Sequence, residues 1–412
     1  MNKQIHMLCL FDYNAITGFA TVSKNLISNW KRQFGDNLKI DIVAVNYFGE
    51  DYNESPNVRI ISAKLKDVAK DDFGRYVFMR SLADIDYDLV FILQDLGVII
   101  PLVPHLKKIQ DDKKEAKRKL FKSIFYFPID FALTPNLAVG IDFFDQLATF
   151  TEYGRKMLLN LKPELKHKIR VIPHGNNMKN YYPIESQKEK SDFRKQYFGD
   201  NSDKFIVGCV NRNQPRKDIP TTIFGFLEYK NQFNENAFLY LHMNPKDPLG
   251  WDLRRVMQQT PLVEGVDYMF PSEEDYNKGA SVETLNKIYN ASDCYLTTAT
   301  GEGWGLTITE AMACCLPTVL PKHTSIAEIG GYNSERCYLL EELSPDVHNI
   351  DNIIRFKCNI YEIAEVISQV DKDKRSNALD QTMIKEKALK FVKSLDWHSI
   401  SKGFSDDIKR LG

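Results

Sequence analysis

At 412 residues the chain is longer than one hydrophobic core ordinarily organises, so two or three domains are expected. With 43% hydrophobic and 26% charged residues it has the composition of an ordinary globular protein, and a formal net charge of -1 excludes a global field for nucleic acid or membrane. Seven scattered cysteines, odd in number and without a C-x-x-C pair, point to reduced, buried thiols rather than a disulfide frame or zinc site.

The opening MNKQIHMLCLF has too short an apolar run for a signal peptide and enters a strand at once. Residues 89–106, the longest apolar stretch, are interrupted by Gln94, Asp95, Pro101 and Pro104 and do not suffice to span a bilayer. A cytoplasmic protein, at most peripheral on a membrane, is therefore expected. Strand-like runs follow at 5–11, 39–47, 58–63, 89–94, 123–129, 146–151 and 169–173, with helix-length segments between them. After the first, Phe19, Val22, Leu26, Ile27 and Trp30 fall on one helical face. The basic stretch LKKIQDDKKEAKRKLFKSI (106–124) reads as a helix. Its cations either face water beside Asp111, Asp112 and Glu115, or touch an anionic membrane surface or another polyanion.

Around 181–190 the pattern lapses into a polar, proline-containing stretch, read as a linker. A second series of strands is predicted at 205–211, 237–243, 267–270, 294–299, 316–321 and 337–342, and helices at 360–370, 376–395 and 397–411. Two runs of βα units predict an α/β protein of two doubly wound domains, 1–180 and 181–395, with a last helix in 396–412. Ligands of such sheets sit at the carboxyl ends of the strands, so two facing domains imply a cleft between them.

Two loops carry chemistry. Asn211-Arg212-Asn213-Gln214-Pro215-Arg216-Lys217 follows the first strand of the second domain, where guanidinium and ammonium groups suit phosphate oxygens. The alternative is a solvated charged loop. Thr300-Gly301-Glu302-Gly303-Trp304-Gly305-Leu306-Thr307-Ile308-Thr309-Glu310 also follows a strand and opens a helix. Its glycines allow close backbone approach, and free amides at the helix start favour an anion. Here the alternative is concrete: Thr307-Ile308-Thr309-Glu310 matches a capping box, in which Glu310 merely bonds its own helix start.

Together these motifs resemble glycosyltransferase family 4, a retaining group of the GT-B fold. Arg212 with Lys217 and Glu302 with Glu310, the latter pair in GEGWGLTITEAMACCLP, match its paired signatures. The likeness extends to IPHGNN (172–177), YFPIDFALTP (126–135), LYLHMNPKDPLGWDL (239–253) and LNKIYNASD (285–293), spanning nearly the whole chain. It departs at Thr17-Gly18-Phe19, where many relatives carry two glycines, and at Cys315, where a glycine is usual.

The resemblance implies two Rossmann-like domains facing across a cleft, the first holding the acceptor, the second the donor, and the last helix crossing back to the first. It implies that a hexose moves from a UDP- or GDP-linked donor to a hydroxyl on a glycan, protein, lipid or modified nucleic-acid base. Arg212 and Lys217 would hold the diphosphate, Glu302 the transferred sugar, Glu310 the ribose, and the backbone of Gly303, Trp304, Gly305 and Leu306 sugar and phosphate. Gly18 would approach the diphosphate. Asp130, standing where many relatives place a histidine, would orient or deprotonate the acceptor, unless it is a turn or helix-capping aspartate. His174 reads as structural.

No metal and no cofactor beyond the donor is expected, since the cations meet the leaving-group charge. A metal-dependent enzyme would carry Asp-x-Asp after a strand, whereas Asp84-Ile85-Asp86 and Asp86-Tyr87-Asp88 precede one. A sugar-nucleotide epimerase and a non-catalytic nucleotide-sugar-binding protein stay open as alternatives.

Overall fold

The computed structural model describes residues 4–64, 71, 73–348 and 351–412, with backbone alone at 276–278. The chain divides into two compact units, Met1–Gly175 with Trp397–Gly412, and Asn176–Asp396.

Unit 1 is built on eight strands: β1 (Ile5–Asp12), β2 (Leu38–Val45), β3 (Tyr52–Ser55), β4 (Val58–Ser62), β5 (Leu89–Leu93), β6 (Lys122–Phe127), β7 (Gln146–Thr149) and β8 (Ile169–Val171). Their order is β3-β4-β2-β1-β5-β6-β7-β8, parallel except for the antiparallel edge pair β3–β4. The central strands are buried on both faces, which is why they read as unbroken apolar runs. Helices α1 (Gly18–Phe34), α2 (Arg75–Asp84), α3 (Leu96–Ile99), α4 (Val103–Glu115) and α5 (Glu152–Leu161) connect them. Helix α1 starts where the Thr17 hydroxyl accepts from the Ala20 amide at 3.1 Å and buries Val22, Leu26, Ile27 and Trp30.

Unit 2 has β9 (Phe205–Val210), β10 (Ala237–His242), β11 (Tyr268–Met269), β12 (Cys294–Leu296), β13 (Thr318–Pro321) and β14 (Tyr338–Leu340), all parallel in the order β11-β10-β9-β12-β13-β14. A separate antiparallel hairpin pairs β15 (Leu343–Val347) with β16 (Ile354–Cys358). Its helices are α6 (Gln187–Phe198), α7 (Ile219–Gln232), α8 (Leu253–Met257), α9 (Glu273–Lys278), α10 (Val282–Ala291), α11 (Leu306–Ala313), α12 (Thr324–Gly330), α13 (Ile360–Ser376) and α14 (Leu379–Lys393). Each unit has its own apolar core, around Phe125 and Phe78 in the first and Phe226 and Leu239 in the second.

The last helix, α15 (Trp397–Leu411), belongs to unit 1. Phe404 enters an aromatic cluster with Trp30, Phe91 and Tyr126 at centroid distances of 6.1, 5.1 and 4.9 Å. Asp407 pairs with Arg170, and Gln33 donates to the Ser401 hydroxyl at 3.0 Å.

Three expectations are corrected. The units divide at 175/176 rather than 180/181. Asn176 forms a bridge with Asp396, and the amides of Tyr182 and Ile184 are accepted by Asn286 and Asn290 of α10, so this stretch already belongs to unit 2. The supposed linker gives way at Gln187 to α6, started by the Ser186 side chain accepting from the Glu189 amide.

The basic stretch 106–124 is not one helix. Helix α4 ends at Glu115, Lys117 takes a left-handed φ of 54°, and β6 begins at Lys122. Several of its cations are held within the unit: buried Lys113 bonds Asp86 at 2.6 Å, Lys119 pairs with Asp88, and Arg118 donates to the carbonyls of Ala83 and Asp84. Asp86 and Asp88 of the Asp-x-Asp runs are thus ion-pair partners of lysines.

All seven cysteines are free thiols, six of them buried and Cys315 half-buried. Among the described residues no helix is long and apolar enough to cross a membrane.

Candidate functional site

In unit 2 the strand order reverses between β9 and β12: β10 and β11 extend to one side, β13 and β14 to the other. The connections leaving the carboxyl ends of two such strands diverge and open a crevice. The loop after β9 is Asn211–Lys217 and the loop after β12 runs 297–305, so the two chemistry-bearing segments meet there. Thr300 joins them, its amide and hydroxyl both donating to the Arg216 carbonyl at 2.7 and 3.1 Å.

A 3-10 turn over Pro215–Lys217 directs Arg216 and Lys217 toward Glu302. Arg216 donates to Glu302 Oε2 at 2.9 Å and to the Gly301 carbonyl at 3.1 Å, while Lys217 Nζ pairs with Glu302 Oε1. Lys217 and Glu302 are both buried. Burial pushes the Glu302 carboxyl upward, but Arg216 and then Lys217 more than offset it and hold the group at about 2. Burial in turn lowers the Lys217 ammonium, against the pull of Glu302.

The backbone of Glu302 is held by the start of α12. The Thr324 hydroxyl accepts its amide at 3.3 Å and the Ser325 hydroxyl donates to its carbonyl. His323, ahead of them, is lowered by burial to about 4, so it is neutral near pH 7.

Arg212 is not part of this cluster. Its Nε donates to Asp247 at 2.8 Å, in the loop after β10, and its side chain is half exposed. The resemblance singles out Arg212 and Lys217, whereas Arg216 is expected only as one of the loop's phosphate-suited cations. Structurally, Arg216 is the second cation on Glu302.

Helix α11 begins at Leu306, preceded by Gly305 with φ of 98° and no capping side chain. Gly303, Trp304 and Gly305 form the turn into it, with Trp304 buried. Glu310 lies four residues beyond Leu306, too far along for the capping box. Its Oε2 accepts from the Tyr289 hydroxyl at 2.8 Å, and the Tyr181 hydroxyl faces the same carboxylate. Burial raises it to about 7 despite both tyrosines. Thr307 meets the Tyr295 hydroxyl at 2.8 Å, and Thr309 donates to the Leu306 carbonyl at 2.9 Å.

The other expected residues lie in unit 1. Its strand order reverses between β1 and β5, and Gly18 opens α1 on the loop after β1. Asp130 follows β6 by three residues and is half-buried. His174 is buried, meets the Tyr126 hydroxyl at 2.8 Å and is lowered by burial to about 3, a structural histidine.

The architecture, two Rossmann-like α/β units each with a parallel sheet, is the GT-B fold. A family model described as Glycosyl transferases group 1 matches residues 276–346, a stretch that includes Glu302 and Glu310. A probable sucrose-phosphate synthase of Thermosipho melanesiensis is 26% identical over 182 residues, 43% of this chain and 38% of that protein. The matched segment thus spans under two fifths of that relative's length. Among solved structures, sucrose-phosphate synthase of Thermosynechococcus elongatus superposes with a TM-score of 0.71, at 15% identity and covering 99% of both chains. A trehalose-6-phosphate protein of E. coli bound with UDP-2-fluoro glucose superposes at 0.65, with 13% identity over 98% of this chain and 99% of that one. Together, fold and family match support a GT-B glycosyltransferase.

Proposed function

We propose that the protein transfers a hexose from a UDP- or GDP-linked donor to an acceptor hydroxyl, with retention at the anomeric carbon and without a metal ion. The observation that carries this reading is the Arg216–Lys217–Glu302 cluster at the β9/β12 crevice, beside the turn that opens α11. In the proposed reaction the bond from the anomeric carbon to the diphosphate oxygen breaks, the acceptor oxygen bonds to that carbon, and the acceptor proton leaves. Negative charge grows on the diphosphate as the sugar becomes oxocarbenium-like. Lys217 and Arg212, with the amides of 303–306, would meet that charge. Because these cations are fixed before reaction, they would supply the neutralisation a metal otherwise gives.

Glu302, held ionised, would accept a sugar hydroxyl, with Arg216 fixing its orientation. Glu310 would accept the ribose hydroxyls, which offer paired O–H donors. In unit 1, Gly18 would border the diphosphate and Asp130 the acceptor. A UDP-linked sugar is favoured by the E. coli neighbour of the same fold, whose bound ligand is UDP-2-fluoro glucose. A glycan, protein, lipid or nucleic-acid acceptor is equally compatible with these residues.

The test is a thermal-shift panel of UDP, GDP, ADP and their hexose conjugates against wild type, Arg212→Ala, Lys217→Ala and Glu310→Ala. Stabilisation by one nucleotide family, lost in the variants, supports the reading and names the base. No shift with any of them overturns it in favour of a protein that binds no sugar nucleotide. Conversion of the donor without acceptor would identify an epimerase, and the anomeric configuration of the product tests retention.

A further inference from the structure

Unit 2 contains a cavity of about 390 Å³ at the opposite, amino ends of its strands. Asp203 precedes β9, Asp293 precedes β12 and Pro317 precedes β13, and all three line it, as do α6, α13 and α14. Parallel strands run away from this end, so it is separate from the crevice holding Glu302.

Five cations line it, Lys190, Arg194 and Lys195 of α6, Lys374 of α13 and Lys385 of α14, against two carboxylates. Asp293 is already committed: Arg194 grips both of its oxygens at 2.9 and 3.3 Å and Lys374 pairs with it. Lys190 and Lys385 have no carboxylate partner among the described residues. Burial, together with the charges of Lys374 and Lys190, lowers Lys385. Asp293 offsets this only in part, since it is shared with Arg194 and Lys374, so a bound anion would relieve the remaining repulsion. A cavity of this size admits a molecule as large as a phosphorylated monosaccharide.

We propose that this cavity binds a small phosphorylated metabolite, its phosphate seated between Lys190 and Lys385 with Lys195 at the rim. The dominance of lysine suits a phosphate met by point charges rather than a planar carboxylate gripped in a fork. Further, α11 runs from the glycine turn to Cys314 and Cys315, both in the cavity wall, and Tyr289 of that wall bonds Glu310.

Cys315 provides a local reporter, since it is the one thiol of the seven that is not fully buried. Its alkylation by neutral iodoacetamide is followed by mass spectrometry in the full chain, with inorganic pyrophosphate as probe. Each variant is compared with its own ligand-free rate. Pyrophosphate is expected to slow alkylation saturably in wild type and in Arg212→Ala. In the Lys190→Ala/Lys385→Ala double variant, loss of two charge-assisted contacts should weaken half-protection by about tenfold or more.

Protection equalled by sodium chloride at matched ionic strength, or unchanged in the double variant, overturns the proposal. So does protection lost in Arg212→Ala, which would place the anion at the strands' other ends. This outcome is independent of whether a nucleotide sugar is the donor.

Discussion

Glu302 and Glu310 lie on one loop–helix segment yet meet opposite electrostatics. Glu302 is flanked by Arg216 and Lys217 and held at about 2, while Glu310 has only tyrosine hydroxyls and rises to about 7. If Glu310 accepts ribose hydroxyls, only its ionised form binds, and donor binding expels its proton. Donor affinity should then fall by about tenfold per pH unit below pH 7. Glu310→Gln should flatten that profile, as titration calorimetry at pH 6 and 8 would record.

Stability runs the other way. The fold favours neutral Glu310, so this contribution is full below the ordinary 4.5 and is lost as pH rises through about 7. Glu302 contributes stability that is present above 4.5 and lost as pH falls through about 2. Removing its carboxylate leaves Arg216 and Lys217 without their shared anion. Glu302→Ala should cost about 3–5 kcal/mol in urea unfolding. Adding Lys217→Met should recover part of it, because the two changes remove one interaction.

At the scale of elements, α11 depends on one backbone conformation. Gly305 has φ of 98°, and a Cβ there would stand 2.7 Å from Ile308 Cδ1. Gly305→Ala should cost about 1–3 kcal/mol of strain. The same change should weaken nucleotide binding by moving the amides that open the helix, which thermal shift with and without nucleotide would separate. The three glycines mark this turn in the sequence, and the β-branched runs announced the parallel strands that carry it.

What stayed hidden has physical reasons. Edge strand β3 is YNES, with no buried residue, and β15 contains Pro345, so neither shows a hydrophobic run. Helix α6 buries only Phe198, which left no apolar stripe to read. Side-chain direction was hidden too. The resemblance favours Arg212 and Lys217, but the 3-10 turn sends Arg216 to Glu302 and leaves Arg212 with Asp247. The Glu310 capping box fails because α11 starts at Leu306, ahead of Thr307, so that Glu310 falls beyond the first turn.

For the whole molecule, the chain returns at its end to the unit in which it began. Helix α15 closes a cluster that local sequence could not complete, since Trp30, Phe91, Tyr126 and Phe404 come from four distant segments. Gly175, just before the chain enters unit 2, lies where a Cβ would be 2.5 Å from Trp397 Cδ2, so the helix start is packed as tightly as its middle. Burial of Phe404 is complete, and Phe404→Ala should cost about 3–5 kcal/mol through transfer and cavity terms. Deleting 397–412 removes this ring together with Trp397, Ile408 and the Arg170–Asp407 pair, and should exceed the cost of any single substitution. The loss is expected to fall on unit 1, to which α15 belongs, while unit 2 has its own core around Phe226 and Leu239. Hydrogen exchange of the truncated chain should show faster exchange in β1, β5 and β6 with protection kept in β9, β10 and β12. Equal loss of protection in both sheets would mean that the units unfold as one, and unchanged protection in β1 would mean that the helix is dispensable.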